Sequence, residues 1–390
     1  MMPARTVLAI ALAGLMLASC APDLRGTAGY ERLKTAVEHD LTVFEGDEIP
    51  DSMLELLARH RVVLVGEYHD ISGHNELVGE LATSLQPQGF NTVLLEFPQS
   101  YSWLLDGYSR GILDTPGEGA MRTYGPLLDR IREANAALPA QEQISVWAID
   151  VNPGVEDFLP PFRGIMHQLG QPDPLSGFVN ALDAGADYAE ALWSLRVELE
   201  ADADLYREGW GDRAYELMAE MLYAEHRSIE VRAERNATER DRLREEVMKS
   251  LTERQLASAR GGVLINVGYF HAQKRRQFGT VDEWLGQYLI EESPHAREQT
   301  FALVVAPASG EKRIRGRVES FDVTHDSPEN ELFRIMSELA GGKTAFLPLD
   351  DELFATEKVV VNYLPELATT PPKEVFDGFV LLPEVQYTGR

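Results

Sequence analysis

Four short apolar runs in the 390-residue chain each end on a residue able to carry a proton. Val62-Val63-Leu64-Val65 runs into Gly66-Glu67-Tyr68-His69-Asp70, and Val93-Leu94-Leu95 into Glu96. Val146-Trp147-Ala148-Ile149 leads to Asp150, and Leu264-Ile265-Asn266-Val267 to Gly268-Tyr269-Phe270-His271. Brought to one rim, these carboxylates and imidazoles would shift one another's pKa values, and could bind a cation or perform acid–base chemistry. Any single member could instead cap a helix or satisfy a local hydrogen bond. The doubled Gly-x-x-His is the sharper signal.

These residues need elements to hold them. The runs Val62–Val65, Thr92–Leu95, Val146–Ile149, Val263–Val267, Phe301–Val305, Lys358–Val361 and Gly378–Leu382 are short, apolar and rich in β-branched residues. That suits a buried, largely parallel sheet. Between the first two, His74–Leu85 has a helical pattern closed by Pro87 and Gly89, which completes a βαβ unit. Ligands of open α/β sheets bind beyond the carboxyl ends of the strands, and the candidates fall there. Gly66 and Gly268 are expected to supply positive φ as each strand leaves the sheet. From about 174 to 259 long charged helices take over, Asp187–Arg207 and Asp212–Leu251 among them. Most of their charge reads as a solvated face. The expected class is α/β: a largely parallel central sheet flanked by helices, with a helical insertion, and the site at the strand C-terminal ends.

Composition narrows the chemistry. With 63 acidic against 36 basic residues the net charge is −27. Nucleic acid and anionic lipid surfaces, which need a basic face, are excluded as partners. The single cysteine can form no intramolecular disulfide, and no CxxC is present to hold zinc. That cysteine closes an N-terminal segment in which Arg5 precedes an apolar run, Val7 to Leu17. The segment reads as a secretory signal, too short to span a bilayer. Its ending, Leu17-Ala18-Ser19-Cys20, resembles a bacterial lipobox, which implies a signal peptide over 1–19 and lipidation of Cys20. Acyl chains there would anchor the protein stably. Ala21 after the cysteine resembles the pattern that sends such lipoproteins to the outer membrane, facing the periplasm. A tether and N-terminal helix over 20–45, then one α/β domain over 46–390, complete the expected organisation.

Gly66-Glu67-Tyr68-His69 and Gly268-Tyr269-Phe270-His271, with Glu96 between them, resemble the paired GxxH motifs of a broad superfamily. It includes the Tiki and TraB proteins, the erythromycin esterases and the ChaN-like haem-uptake lipoproteins. The stretch from Val62 to Asp70, with His74 beyond, looks most like the ChaN branch. Gly89–Glu96, Leu104–Tyr108 and Phe376–Val380 are similar to the esterase branch. The resemblance implies an α/β fold with a site made of Glu67, His69, Glu96 and His271, and Asp150, Tyr68 and Arg235 facing the substrate. Arg232 or Arg235 matches an arginine the family carries on a helix before the second motif. One departure stands out: only Tyr68 separates Glu67 from His69, where the esterases have two residues. That spacing favours the Tiki/ChaN form.

Two chemistries follow. As a hydrolase of a small-molecule or peptide ester or amide, the chain would use His69 to take a proton from water, with Glu67 or Glu96 orienting its ring. Alternatively, a divalent metal held by Glu67, His69 and His271 would acidify the water. Imidazole and carboxylate ligands suit Mn, Co or Zn. As a ChaN-like uptake protein it would bind haem through exposed His or Tyr side chains such as His74, Tyr68 and Tyr269. A third reading is a silent envelope scaffold. Lys274-Arg275-Arg276 reads as a surface patch, and His74 as a helix-surface residue. Gly107-Tyr108-Ser109-Arg110-Gly111 lacks the preceding strand of a serine-hydrolase elbow. Gly341-Gly342-Lys343-Thr344 lacks the first glycine of a phosphate loop.

Overall fold

Continuous apolar runs form the strands expected of them. The computed structural model describes residues 28–45, 48–277, 279–314, 317–324, 331–360 and 369–389. The signal segment, Cys20 and most of the tether lie outside the described residues. The strands are β1 (Thr42–Phe44), β2 (Val62–Glu67), β3 (Phe90–Pro98), β4 (Ser145–Asp150), β5 (Gly262–Gly268), β6 (Thr300–Pro307), β7 (Ser309–Ile314), β8 (Arg317–Asp322), β9 (Thr344–Pro348), β10 (Val359–Val360), β11 (Thr369–Thr370) and β12 (Gly378–Leu382). Eight of them make one sheet in the order β1-β9-β12-β6-β2-β5-β3-β4. From β12 to β4 every neighbouring pair is parallel, while β9 runs antiparallel to both β12 and β1. The fold is α/β with a largely parallel central sheet, as the patterning implies.

Both faces of the sheet are covered, which is why its strands lack polar alternation. All six residues of β2 are buried. Val62 and Leu64 pack with Val263, Ile265 and Val267 on one face; Val63 and Val65 pack with Leu264 and Leu303 on the other. One expected strand falls elsewhere. Val359 and Val360 pair with Thr370 and Thr369 in a separate two-stranded ribbon, and Val361 lies outside the described residues. The place in the sheet belongs to β9, reached from the helix Glu331–Ala340 through Gly341 and Gly342, both at positive φ. Gly341-Gly342-Lys343-Thr344 is therefore a helix-to-strand turn. Ser109 likewise ends the helix Ser102–Ser109, buried and donating to the Asp106 carbonyl at 3.0 Å.

The charged region also resolves differently from its pattern. The stretch from Asp212 to Leu251 is two helices, Asp212–Ala233 and Ala237–Ser258, with a break at 234–236. Asn236 causes the restart: its side chain accepts from the amides of Thr238 and Glu239, an N-cap that repays unsatisfied donors. Helices from Val155 to Ala233 share a third core of Phe158, Phe162, Leu195 and Met218. The helix Ala237–Ser258 instead lays Val247, Met248 and Leu251 on the sheet. Among the described residues no helix is long and apolar enough to cross a membrane.

Leu64 is fully buried on the central strand. Leu64→Ala should lower unfolding free energy by ~2–5 kcal/mol in a denaturant titration. Val197→Ala, on an exposed residue of the helical region, should stay within ~0.5 kcal/mol.

Candidate active site

Strand order delivers the candidates to one rim. β2, β5, β3 and β4 are successive parallel neighbours, so Glu67, the 268–271 turn, Glu96 and Asp150 leave the sheet at the same end. Gly66 pairs in register with Val267, and Glu67 with Gly268. The two motif glycines serve close approach; neither has positive φ, contrary to the expected tight turn. A Cβ on Gly268 would lie 2.9 Å from His69 Nε2 and 3.3 Å from Glu96 Oε2. One on Gly66 would lie 2.9 Å from the Ala272 Cβ and 3.0 Å from the Tyr269 Cα. The left-handed residue is Asp70, at φ 65.

His69 is held from behind. Its Nδ1 lies 2.6 Å from Glu67 Oε1, and 60% of its side chain is open to solvent. The second oxygen of Glu67 faces His74 Nε2 at 3.2 Å and Asn266 Nδ2 at 3.4 Å. His74 Nε2 also meets Asn266 Oδ1 at 2.8 Å. His74 is thus buried beneath the dyad and not on a helix surface.

The second motif is bound more tightly. His271 Nδ1 meets Glu245 Oε1, whose other oxygen accepts the Leu285 amide at 2.8 Å. His271 Nε2 lies 3.4 Å from Glu96 Oε1. Glu96 also accepts from the Gly268 amide and from Arg244 Nη2, each at 2.5 Å. Arg244 turns its remaining edge to Asp150, with Nε on Oδ1 at 2.8 Å and Nη2 on Oδ2 at 2.6 Å. This two-pronged pairing suits a planar guanidinium. Four largely buried carboxylates, Glu67, Glu96, Asp150 and Glu245, face three potential cations.

That charge ledger shifts the titrations. Burial opposes charge on His69, but the hydrogen bond and charge of Glu67, helped by Glu96, outweigh it and raise its pKa to about 9. Solvent at its open edge screens part of that field. Burial likewise opposes charge on His271, and Glu245 and Glu96 overcome it, to about 10. Burial works against ionised Glu67 and Glu96 too, yet both end below the usual carboxylate range because imidazoles flank them, with Arg244 beside Glu96.

A cavity of about 310 Å³ opens over the cluster, lined by His69, Glu96, Arg244, Glu245, His271 and Trp284 among others. Tyr269 lines it, and Tyr68 stacks on Tyr269 with ring centroids 4.5 Å apart. Asp150 reaches the site only through Arg244. Arg235 does not join the cluster: it is exposed in the break between helices. Arg232 is committed to Glu225 at 2.7 Å and the Asn152 carbonyl at 2.8 Å. Lys274, Arg275 and Arg276 pair with Asp377, Glu374 and Asp282 in turn. The motif reading missed Arg244 and Glu245. A signal existed, since Arg244 begins the stripe continued by Val247, Met248 and Leu251 at +3, +4 and +7.

The donor set does not suit a metal. Among the described residues no three His, Cys, Asp or Glu side chains are grouped to hold one. The carboxylates beside the imidazoles already have partners: Glu96 meets Arg244 and the Gly268 amide, Glu67 meets His69 and His74, and Glu245 meets His271 and the Leu285 amide. For haem, Tyr269 lines the cavity, whereas His74 and Tyr68 do not.

No family model matches the sequence, and no curated protein matches it. Solved structures do share its fold. A crystal structure of a Bacillus cereus protein aligns with a TM-score of 0.71 over 93% of this chain and 99% of its own, at 13% identity. One described as a succinoglycan biosynthesis protein aligns at 0.70, over 93% and 98%, also at 13% identity. A histidine-to-asparagine mutant of the erythromycin esterase EreC, in its open conformation, aligns at 0.63 over 90% and 98%, at 14% identity. The chain has the erythromycin-esterase-like α/β fold implied by its paired motifs.

The raised imidazoles contribute stability that is complete below pH 6.5 and is lost as pH climbs through about 9 and 10. The lowered carboxylates contribute stability present above pH 4.5 and lost as pH falls further. Thermal melts should therefore plateau between roughly pH 5 and 6.5 and decline on both sides. Replacing His69 and His271 by Gln should flatten the alkaline decline.

Proposed function

We propose that the chain is a hydrolase of an ester or amide bond, with His69 as the general base. The observation that carries this is the Glu67–His69 hydrogen bond of 2.6 Å beside the 310 Å³ cavity. Glu67 accepts a hydrogen bond from His69 Nδ1–H, which leaves Nε2 to take a proton from water as the water attacks the carbonyl. The imidazolium so formed faces Glu67, and the tetrahedral oxyanion takes a hydrogen bond from protonated His271. His271 Nε2 would pass from Glu96 to the oxyanion, while Arg244 keeps Glu96 ionised and in place. The proton on His69 then goes to the leaving oxygen or nitrogen. The likeness in fold to an erythromycin esterase supports hydrolysis as the reaction class. We propose further that Cys20 carries a lipid anchor to the outer membrane, as its lipobox-like setting suggests; of the three side chains the haem-uptake reading would use, Tyr269 lines the cavity and His74 and Tyr68 do not.

His69 must be neutral to act and His271 charged. With values of about 9 and 10, that combination is most populated between them. Hydrolysis of p-nitrophenyl acetate, corrected for the spontaneous reaction, should show kcat/KM rising from neutral pH to a maximum in that interval, with apparent constants that belong to the pair. His69→Asn should lower kcat/KM by ~10²–10⁴-fold. Glu67→Gln should move the rising limb to lower pH and reduce the maximum. An unchanged rate in His69→Asn would rule out the assignment.

A further inference from the structure

At the opposite ends of β3 and β4, where Thr92 and Ser145 are register partners, a second cavity of about 320 Å³ opens. Its described lining contains Arg110, Arg213 and Arg260 and no carboxylate, on a chain whose acids outnumber bases 63 to 36. The local sign is reversed. The arrangement is also built. Asp106, buried behind the cavity, accepts Arg110 Nε at 2.8 Å on one oxygen and Arg213 Nη2 at 2.5 Å on the other. One carboxylate thus orients two guanidiniums and leaves one positive charge uncompensated. Arg110 is fixed further by Nη2 donating to Ser145 Oγ at 2.5 Å. Arg260 is exposed and has no carboxylate partner among the described residues.

The rest of the wall specifies the ligand's body. Thr92 Oγ1 donates to Asn91 Oδ1 at 3.3 Å, Gln143 Nε2 to the Asn135 carbonyl at 3.0 Å and Ser258 Oγ to the Gln255 carbonyl at 3.1 Å, so this wall presents Asn91 Nδ2, Gln143 Oε1 and hydroxyl lone pairs; half-buried Trp147 supplies an aromatic surface, with the Arg213 guanidinium 5.8 Å from its ring centroid. An adjoining cavity of about 480 Å³ shares Trp147, Arg213, Gln255 and Ser258, but its lining mixes Arg207 and Arg254 with Glu216 and Glu220, so the carboxylate-free wall is confined to the first cavity. We propose that this pocket binds a small polyhydroxylated anion, a sugar acid or sugar phosphate, through the three arginines, with the hydroxyls on the amide wall. Guanidinium forks match carboxylate and phosphate geometry. At contact distance these charges act before the chain's net negative field, which salt screens beyond ~8–10 Å.

The pocket is separate from the hydrolytic cluster. Ser145 and Asp150 stand at opposite ends of β4, ~16 Å apart at ~3.3 Å per residue. Titration calorimetry of the purified protein with glucuronate, glucose phosphate, glucose and inorganic phosphate tests the assignment. Saturable millimolar or tighter binding is expected for one of the two sugar anions, with none for glucose. Arg260→Gln, at an exposed position, should weaken it at least ~5-fold while leaving ester hydrolysis and the circular dichroism spectrum unchanged. Absence of saturable binding by either sugar anion would overturn the proposal, as would binding unaltered in both Arg260→Gln and Arg110→Gln. Inorganic phosphate binding as tightly as both sugar anions would overturn the sugar assignment. None of these results bears on the His69 chemistry.

Discussion

Four carboxylates cannot be buried at one sheet edge unless cations are placed among them, and this constraint organises the molecule. An isolated buried charge costs several kcal/mol, and it persists only when paired and hydrogen-bonded. Arg244 meets the constraint for Glu96 and Asp150 together, His271 for Glu245 and Glu96, and His69 for Glu67, whose second oxygen also meets the His74 ring. The Arg244 and His271 pairings cross between elements: β3 and β4 to the helix Ala237–Ser258, and the 268–271 turn to that same helix; the Glu67–His69 pairing is local, two residues apart. The cluster is therefore a structural tie as well as a reactive surface. The field that holds the imidazoles protonated is the one that restrains His69 from acting as a base at neutral pH.

The sheet order makes such a cluster possible. The chain goes from β2 past the place of β5 to β3, then β4, and returns to insert β5 between β2 and β3. This return is what sets the two GxxH turns side by side, although about 200 residues separate them, at Glu67 and Gly268 in one register. The long excursion between β4 and β5 forms its own apolar core and then contributes the helix carrying Arg244 and Glu245. Gly268 allows the last approach, because a Cβ there would crowd the His69 ring, 2.9 Å from Nε2, and displace it from its position.

Much of this was legible in the residues. Buried parallel strands read as continuous apolar runs, so β2 to β6 and β12 were found, and with them Glu67, Glu96, Asp150 and the two histidines at their ends. What failed was whatever depended on long-range packing. β9 is short and lies past a helix, and the Lys358–Val361 run has the stronger strand pattern, yet Val359 and Val360 pair only with Thr370 and Thr369 among the described residues. Arg244 has the same residue type as Arg242, which is spent on the exposed Glu239 and Glu246. Only phase separates them, since Arg244 shares the face of Val247, Met248 and Leu251. Arg235 was chosen on likeness to a motif, and the Asn236 cap leaves it in a solvent-exposed break. His74 seemed a surface residue because its helical pattern says nothing of Asn266 across the sheet.

Rim carboxylates hold both motif imidazoles protonated at neutral pH, and Glu67 is responsible for His69. Histidine ring resonances followed by nuclear magnetic resonance from pH 5 to 11, in the native protein and in Glu67→Gln, address it directly. Midpoints of about 9 for His69 and about 10 for His271 are expected, with a fall of the His69 midpoint toward 6.5 in Glu67→Gln while His271 stays high. A His69 midpoint at or below 6.5 in the native protein, or one indifferent to Glu67→Gln, would contradict it.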